Sequence, residues 1–386
     1  MNNANDAENA NGWENVEVRA ADGADRELIV RLAFGSMAAQ TLRAAARLRV
    51  VELIGDRRRP AADVAAEAGA QPQPMARLLR ALASLGLLRE HASGTYSVAP
   101  AGALLDPARP DSLLSFVRMF TEPTMTRAWE HLDDSVRTGR TSFDTVFGTD
   151  FFGHVARHPE LSADFNAAMG QASRDTAAVL PHAYDFGRFS RITDVGGGDG
   201  TLLAAVLAAH PGLTGVVLDT AEGLAEAPGT LERQGLTERC ALTCGDFFRA
   251  VPAGSDVHLM KSVLHDWADD QVVTILSHCR EVLPPGGVVL IVDPVLPEAA
   301  GTPTGTEVDP EVDLGEGGVT YLTDLNMLVN VGGRERTRRD FEDVCRRAGL
   351  TLTSITPLTG AAPFSLIEAV AGPVPVPVPT SDTGTG

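Results

Sequence analysis

Residues 194–200 read Asp-Val-Gly-Gly-Gly-Asp-Gly, and 19 positions later, at about the spacing of a helix and a strand, stands Asp219 at the close of Gly-Val-Val-Leu-Asp. Glycines let backbone amides approach a ligand closely, and an acid ending the second strand is placed to accept hydrogen bonds from a ribose diol. A dinucleotide fingerprint would carry a third glycine at 201, where Thr201 stands, and Asp199 inside the loop would repel a pyrophosphate. An adenosine ligand with positive charge fits better, and S-adenosylmethionine is the one expected. Downstream, Gly245-Asp-Phe-Phe248 follows a third apolar run, so Asp246 could accept from an adenine amino group while Phe247 packs on the ring. After a fourth run comes Leu264-His-Asp-Trp267, which puts His265 beside an acid just past a strand end, where a donor and an acceptor would meet. An imidazole titrating near neutrality can take a proton from a hydroxyl as the oxygen attacks.

These side chains need a sheet whose strand ends form one crevice. Strand signals at Ile192–Val195, Val216–Asp219, Ala241–Cys244, Val257–Met260, Val288–Asp293, Thr351–Ile355 and Ser365–Ala369 alternate with helical segments. That alternation predicts a mostly parallel sheet with helices on both faces, binding its ligand at the strand ends. Before it, Asp25 to Asp106 is rich in Ala and Leu at helical spacing. Helices are expected over 61–70 and 74–88, then a hairpin of Leu87–Glu90 and Thr95–Val98. Helix, helix-turn-helix and wing form a winged-helix pattern. The second helix carries Met75, Leu78, Leu79, Leu82 and Leu85, with Arg77 and Arg80 as its only cations. Such a helix belongs in a core, so a dimerisation platform is expected there and not a DNA reader. Residues 112–180 are helical and hold Phe116, Phe120, Trp129, Phe143, Phe147, Phe151, Phe152 and Phe165, which can line a pocket for a flat substrate as well as a core.

Composition narrows the classes further. A chain of 386 residues can bury a large core in two structured units. The formal charge of −19 speaks against a nucleic-acid partner. No apolar run is long enough to span a bilayer, and the polar start lacks the basic and apolar regions of a secretion signal. Cys240, Cys244, Cys279 and Cys345 form no Cys-x-x-Cys pair, so free thiols in the cytoplasm are expected and no metal site. The resulting division is a disordered leader at 1–24, a winged-helix-like unit at 25–111 and a helical connector at 112–185. A cofactor-binding unit at 186–372 and a disordered Pro-rich tail at 373–386 complete it. The Pro-, Gly- and acid-rich stretch from Leu296 to Gly318 reads as a loop.

Four motifs carry a resemblance: residues 194–200, 245–248 and 264–267, and Asp324 to Thr337, Asp-Leu-Asn-Met-Leu-Val-Asn-Val-Gly-Gly-Arg-Glu-Arg-Thr. Over most of its length the chain resembles the class I small-molecule O-methyltransferases. These include plant caffeate and isoflavone methyltransferases, mammalian acetylserotonin methyltransferase and bacterial enzymes that tailor aromatic polyketides. The resemblance implies an α/β fold, a C-terminal Rossmann-like methyltransferase domain with an N-terminal, mostly helical winged-helix dimerisation domain. It implies S-adenosylmethionine contacts from Gly196, Gly198, Asp219, Asp246, Phe247, Lys261 and Ser173. It also implies acceptor contacts from Phe165, Met169, Asp266, Asp324 and Met327, and a general base in His265.

In the plant enzymes two acids hold the catalytic histidine. They correspond to Asp293, where the plant pattern has Glu, and to Glu335. Asp293 is one methylene shorter, so its direct hydrogen bond to the imidazole is an open question. Thr220-Ala221 also departs from the usual Leu-Pro, which alters the turn and not the ribose contact. The expected product is a methyl ether of a phenol, made by a homodimer that pairs through its N-terminal domain. A phenol ionises near pH 10, so a base with a pKa of about 6.5 would assist, and no metal is needed. Three rivals are a hydroxylase or decarboxylase on the same fold, a DNA-binding regulator and a non-catalytic scaffold. His265, the charge and the intact cofactor motif disfavour them in turn.

Overall fold

The computed structural model describes residues 21–298 and 316–372, so the Pro-rich tail and most of the 296–318 loop lie outside the described residues. Chain order begins with helix Gly23–Ala33, two residues inside the segment read as leader. Asp22 caps it by accepting the N–H groups of Ala24 and Asp25. That helix has no buried residue. Helices Gly35–Arg47, Ala61–Glu67 and Pro72–Ser84 follow, with a small sheet of β1 (Arg59–Pro60), β2 (Leu88–His91) and β3 (Thr95–Val98) in the order β1-β3-β2. Met75, Leu79 and Leu82 bury against Ala45, Val50, Ile54, Val64 and Tyr96, as helical spacing requires. Leu85, expected in this core, is exposed because the helix ends at Ser84. Arg77 and Arg80 point outward, Arg80 toward Glu90.

The large sheet is built from β4 (Arg191–Val195), β5 (Thr214–Asp219), β6 (Cys240–Cys244), β7 (Val257–Lys261) and β8 (Val288–Leu296). β9 (Arg336–Thr337), β10 (Leu350–Pro357) and β11 (Phe364–Ala371) complete it. Its order is β10-β11-β8-β7-β4-β5-β6, with β9 beside the end of β8. Strands β4 to β8 are parallel and the β10–β11 pair is antiparallel, so the strands read from sequence all form. The chain runs outward from β4 to β6 and then returns to β7 on the other side. β4 and β7 are therefore the neighbours where the winding reverses, and their carboxyl ends open a crevice.

Each face of the sheet buries its own core. Leu203, Val206 and Leu207 of the helix Thr201–Ala209 lie on one, and Val272, Ile275 and Leu276 of the helix Asp269–Val282 on the other. Gly215 sits under the first helix, where a Cβ would lie 2.9 Å from Leu203 Cδ2. The connector forms another cluster around Met119, Phe143, Phe151 and Ala168, which also takes in Val329 from the sheet domain. Trp129 Nε1 donates to Asn326 Oδ1 at 3.2 Å, tying the connector to the helix Glu316–Asn326. Among the described residues no helix is long and apolar enough to cross a membrane.

Candidate active site

The glycine turn lies at the end of β4, and its shape explains its composition. Gly196, Gly198 and Gly200 all have positive φ, and a Cβ on Gly196 would come within 2.8 Å of Val263 Cγ2. Asp219, at the end of β5, faces this turn. Its two oxygens accept the N–H groups of Gly198 at 2.8 Å and Thr220 at 2.7 Å. An ionised carboxylate offers about four acceptor sites, so about two remain for a diol. Burial raises the Asp219 pKa, against the pull of those N–H donors. Asp199 accepts the N–H of Thr201 at 3.0 Å and abuts the roof helix Pro159–Ala172, where a Cβ on Gly170 would stand 2.6 Å from its Oδ2.

Asp246 accepts the N–H of Phe248 at 2.9 Å and lies 3.5 Å from the Arg249 guanidinium. The Phe247 ring lies beside Gly196. Aromatic rings then form a chain from the sheet domain to the connector. Phe247 and Phe248 sit 6.2 and 4.7 Å from Trp267, Trp267 stacks on Phe152 at 5.2 Å, and Phe152 meets Phe165 at 6.3 Å. Met169 packs in the same connector cluster. Ser173, four residues on, donates to the Met169 carbonyl and accepts from Lys261 Nζ at 3.3 Å. Lys261 also lies 4.6 Å from the centre of the Phe364 ring. Burial lowers its pKa to about 8, while Asp293, Asp194 and Asp266 hold it from falling further.

His265 occupies a short 3-10 turn, Leu264–Asp266, directly after β7. Its Nδ1 is 3.1 Å from Glu335 Oε1, and its Nε2 is 3.6 Å from Asp266 Oδ1. The Glu335 N–H donates to Asp324 Oδ1 at 2.8 Å, which puts Asp324 behind Glu335. Asp293 does not bond the imidazole. Its Oδ1 accepts the N–H of Ser262, a residue in the left-handed region, and its buried Oδ2 has no partner. Met327 is buried at the start of a π-helical turn, Met327–Val331.

Charge is the strongest departure from expectation here. Burial alone would lower the His265 pKa, but Glu335, Asp266 and Asp293 together outweigh it and bring it to about 10. One opposite charge at about 4 Å contributes about 4 kcal/mol at an effective dielectric near 20, so several acids together offset the cost of burial. Burial conversely raises Asp266 to about 6 and Asp293 to about 7. The cluster titrates as a unit. A free imidazole with a pKa near 6.5 is therefore not what the fold presents.

Asp194, quoted from the sequence but given no role there, is missing from the expected set. It is buried at the end of β4, its Oδ2 has no partner, and burial with the nearby Asp219 and Asp199 raises it to about 7. Its position opening the glycine motif was the signal. Four acids thus stand at the strand ends and loops of this site: Asp194 in β4, Asp219 closing β5, Asp199 in the turn and Asp246 after β6.

Residues 129–351 match the family model for the O-methyltransferase domain, and residues 30–106 match the O-methyltransferase dimerisation domain. The chain belongs to the O-methyltransferase family. This methyltransferase is 42% identical over 352 residues to O-demethylpuromycin-O-methyltransferase of Streptomyces alboniger, a match covering 91% of the chain and 90% of that relative. A solved O-methyltransferase from neocarzinostatin biosynthesis, in complex with S-adenosylmethionine and 2-hydroxy-5-methyl naphthoic acid, aligns with a TM-score of 0.74 at 30% identity. It covers 92% of this methyltransferase and 100% of its own chain. Aclacinomycin 10-hydroxylase of Streptomyces purpurascens is also similar, at 33% identity over 328 residues and 81% of both chains.

The protein is an S-adenosylmethionine-dependent O-methyltransferase. Its own residues fit that cofactor: the glycine turn excludes side chains, Asp219 keeps acceptor capacity, and a surplus of acids surrounds the turn, with an unpartnered carboxylate oxygen on Asp194. A cationic sulfonium suits that surplus.

Proposed function

We propose that the enzyme methylates a phenolic hydroxyl of a flat aromatic secondary metabolite of the polyketide type, with His265 as the proton acceptor. The observation that carries this is the polarity of the imidazole. A carboxylate only accepts, so Glu335 Oε1 at 3.1 Å favours a proton on Nδ1, while Asp266 Oδ1 at 3.6 Å is too far to bond Nε2, which is then the acceptor nitrogen of the neutral ring. Nε2 belongs to a residue that follows β7, beside the glycine turn that follows β4. The aromatic rings from Phe247 to Phe165 give a planar acceptor surfaces to lie against.

S-adenosylmethionine supplies a methyl group that is already electrophilic. The chain's part is to hold the hydroxyl in line and to receive its proton. Gly196, Gly198, Asp219, Asp246, Phe247, Lys261 and Ser173 would hold the cofactor. Phe165, Met169, Asp266 and Met327 would face the acceptor. Glu335, itself fixed by Asp324, orients His265 and stabilises its charged form, while Asp293 supports the same loop through Ser262. A bound cation near the imidazole opposes the raised pKa and favours the neutral base. Proton transfer by a well-placed base accounts for roughly 10²–10⁴ in rate, and alignment for much of the rest.

The exposed helix Gly23–Ala33 and the family's dimerisation domain support a homodimer formed through the N-terminal unit. We further read 25–111, 112–185 and 186–372 as the functional divisions, and a cytoplasmic enzyme without a nucleic-acid partner. The deciding experiment offers phenolic polyketides with methyl-labelled cofactor. Label in a phenyl ether with release of S-adenosylhomocysteine is the expected result. Oxygen consumption without S-adenosylhomocysteine would move the assignment toward the chemistry named for the Streptomyces purpurascens relative.

A further inference from the structure

Arg336 is the largest fully buried side chain in the described structure, and its partners bracket His265. All five guanidinium N–H donors are engaged. Nη1 donates to the carbonyls of Leu264 at 2.8 Å and Arg334 at 3.4 Å. Nη2 donates to the carbonyl of Trp267 and to Asp269 Oδ1, each at 2.8 Å, and Nε donates to the same Oδ1 at 3.1 Å. One planar group therefore grips the backbone on both sides of the histidine and the start of the helix that follows.

From the same segment, Gly333 presses on the loop. A Cβ there would lie 2.0 Å from the His265 carbonyl oxygen. Glu335, next to Arg336, holds the imidazole itself. We propose that Arg336 is a positioning residue that fixes the 264–267 loop so that the Glu335–His265 hydrogen bond forms. Lysine cannot replace it: an ammonium offers three donors at one point and cannot span three carbonyls and a carboxylate as the five-donor fork does. This refines the reading of His265 as base, yet the geometry it concerns exists whether or not His265 takes a proton.

The test is proton magnetic resonance of the full-length enzyme, read at the low-field signal of the His265 Nδ1 proton. Absence of that signal from H265Q and E335Q assigns it. Arg336→Lys should keep cofactor affinity within about threefold of the wild type by calorimetry while losing or strongly shifting the signal. Turnover should fall roughly 10–100-fold with acceptor KM little changed. Asp269→Asn, which loosens the clamp from its more exposed end, should shift the signal in the same direction and by less. A signal unchanged in Arg336→Lys overturns the proposal, as does its absence from the wild type. Loss of cofactor affinity in step with global unfolding in both variants assigns Arg336 to the core and also overturns it. Unchanged turnover in H265Q, by contrast, would overturn the base and leave the clamp standing.

Discussion

Glu335 Oε1 and His265 Nδ1 lie 3.1 Å apart across 70 residues of sequence, and the glutamate is almost fully buried. On the proposed reading, the pair leaves Nε2 to accept the proton of the acceptor hydroxyl. His265→Gln should therefore keep the fold and cofactor affinity while turnover falls by about 10²–10⁴. Glu335→Gln should cost less, because it weakens orientation and not transfer. Near-normal turnover in His265→Gln would leave alignment alone as the catalyst.

The acids around His265 set the pH dependence. Its pKa rises to about 10 because Glu335, Asp266 and Asp293 outweigh burial. A base must be neutral, so activity should rise with pH through a limb above the ordinary imidazole value of about 6.5. Bound cofactor should bring that limb lower in kcat than in kcat/KM for S-adenosylmethionine, which reports the cofactor-free enzyme. The measurement is a full rate profile, and a limb at the ordinary imidazole value in both parameters contradicts the electrostatics.

Asp219 tests the cofactor site. Asp219→Ala removes an acceptor for the ribose and also frees the Gly198 N–H. Affinity for S-adenosylmethionine should weaken by about 1.5–3 kcal/mol, roughly ten- to hundredfold. Calorimetry showing unchanged affinity would take away the ribose assignment.

Asp194 links the same site to stability. Burial first, then Asp219 and Asp199, bring its pKa to about 7 from an unfolded value of about 3.9. Between those values the folded chain keeps a proton that the unfolded chain has lost. Its contribution is thus present below pH 4 and lost as pH rises through about 7. Asp194→Asn should raise the Tm of cofactor-free enzyme at pH 8 relative to wild type and flatten the decline from pH 5 to 8, while weakening cofactor binding. A lower Tm for the variant at pH 8 would refute this.

Ile29, Val30, Leu32, Phe34 and Met37 are all more than half exposed in the isolated chain. Charged residues at Ile29, Leu32 and Met37 together should convert a dimer to a monomer by sedimentation. A wild type that sediments as a monomer at micromolar concentration would end the dimer reading.

The glycine turn, Asp219 and the strand ends were legible because backbone geometry dictates residue type at those points. Gly196, Gly198 and Gly200 all have positive φ, and at Gly196 a neighbour is close as well. His265 was legible from its place after a strand. Its elevated pKa was not, since Glu335 and Asp293 reach it from distant segments and local spacing carries no electrostatic sum. Arg336 was hidden for a related reason: nothing in Gly-Gly-Arg-Glu-Arg distinguishes the buried cation from Arg334, whose side chain is 44% exposed. Leu85 is the converse case: the apolar spacing continues through it, but the helix stops at Ser84 and leaves it exposed.

The side chains that hold His265 come from β8, β9 and their flanks, whereas Phe152, Phe165 and Met169 come from the helical connector. On the proposed reading, proton handling thus resides in the sheet domain and the aromatic part of the acceptor wall in the connector, with Asp266 and Met327 completing that wall from the sheet side. Substitutions in the connector can remodel what molecule is admitted without touching the imidazole, its carboxylate or the clamp behind them. A single inherited reaction centre can in this way be fitted to successive scaffolds of natural products, with innovation confined to the walls.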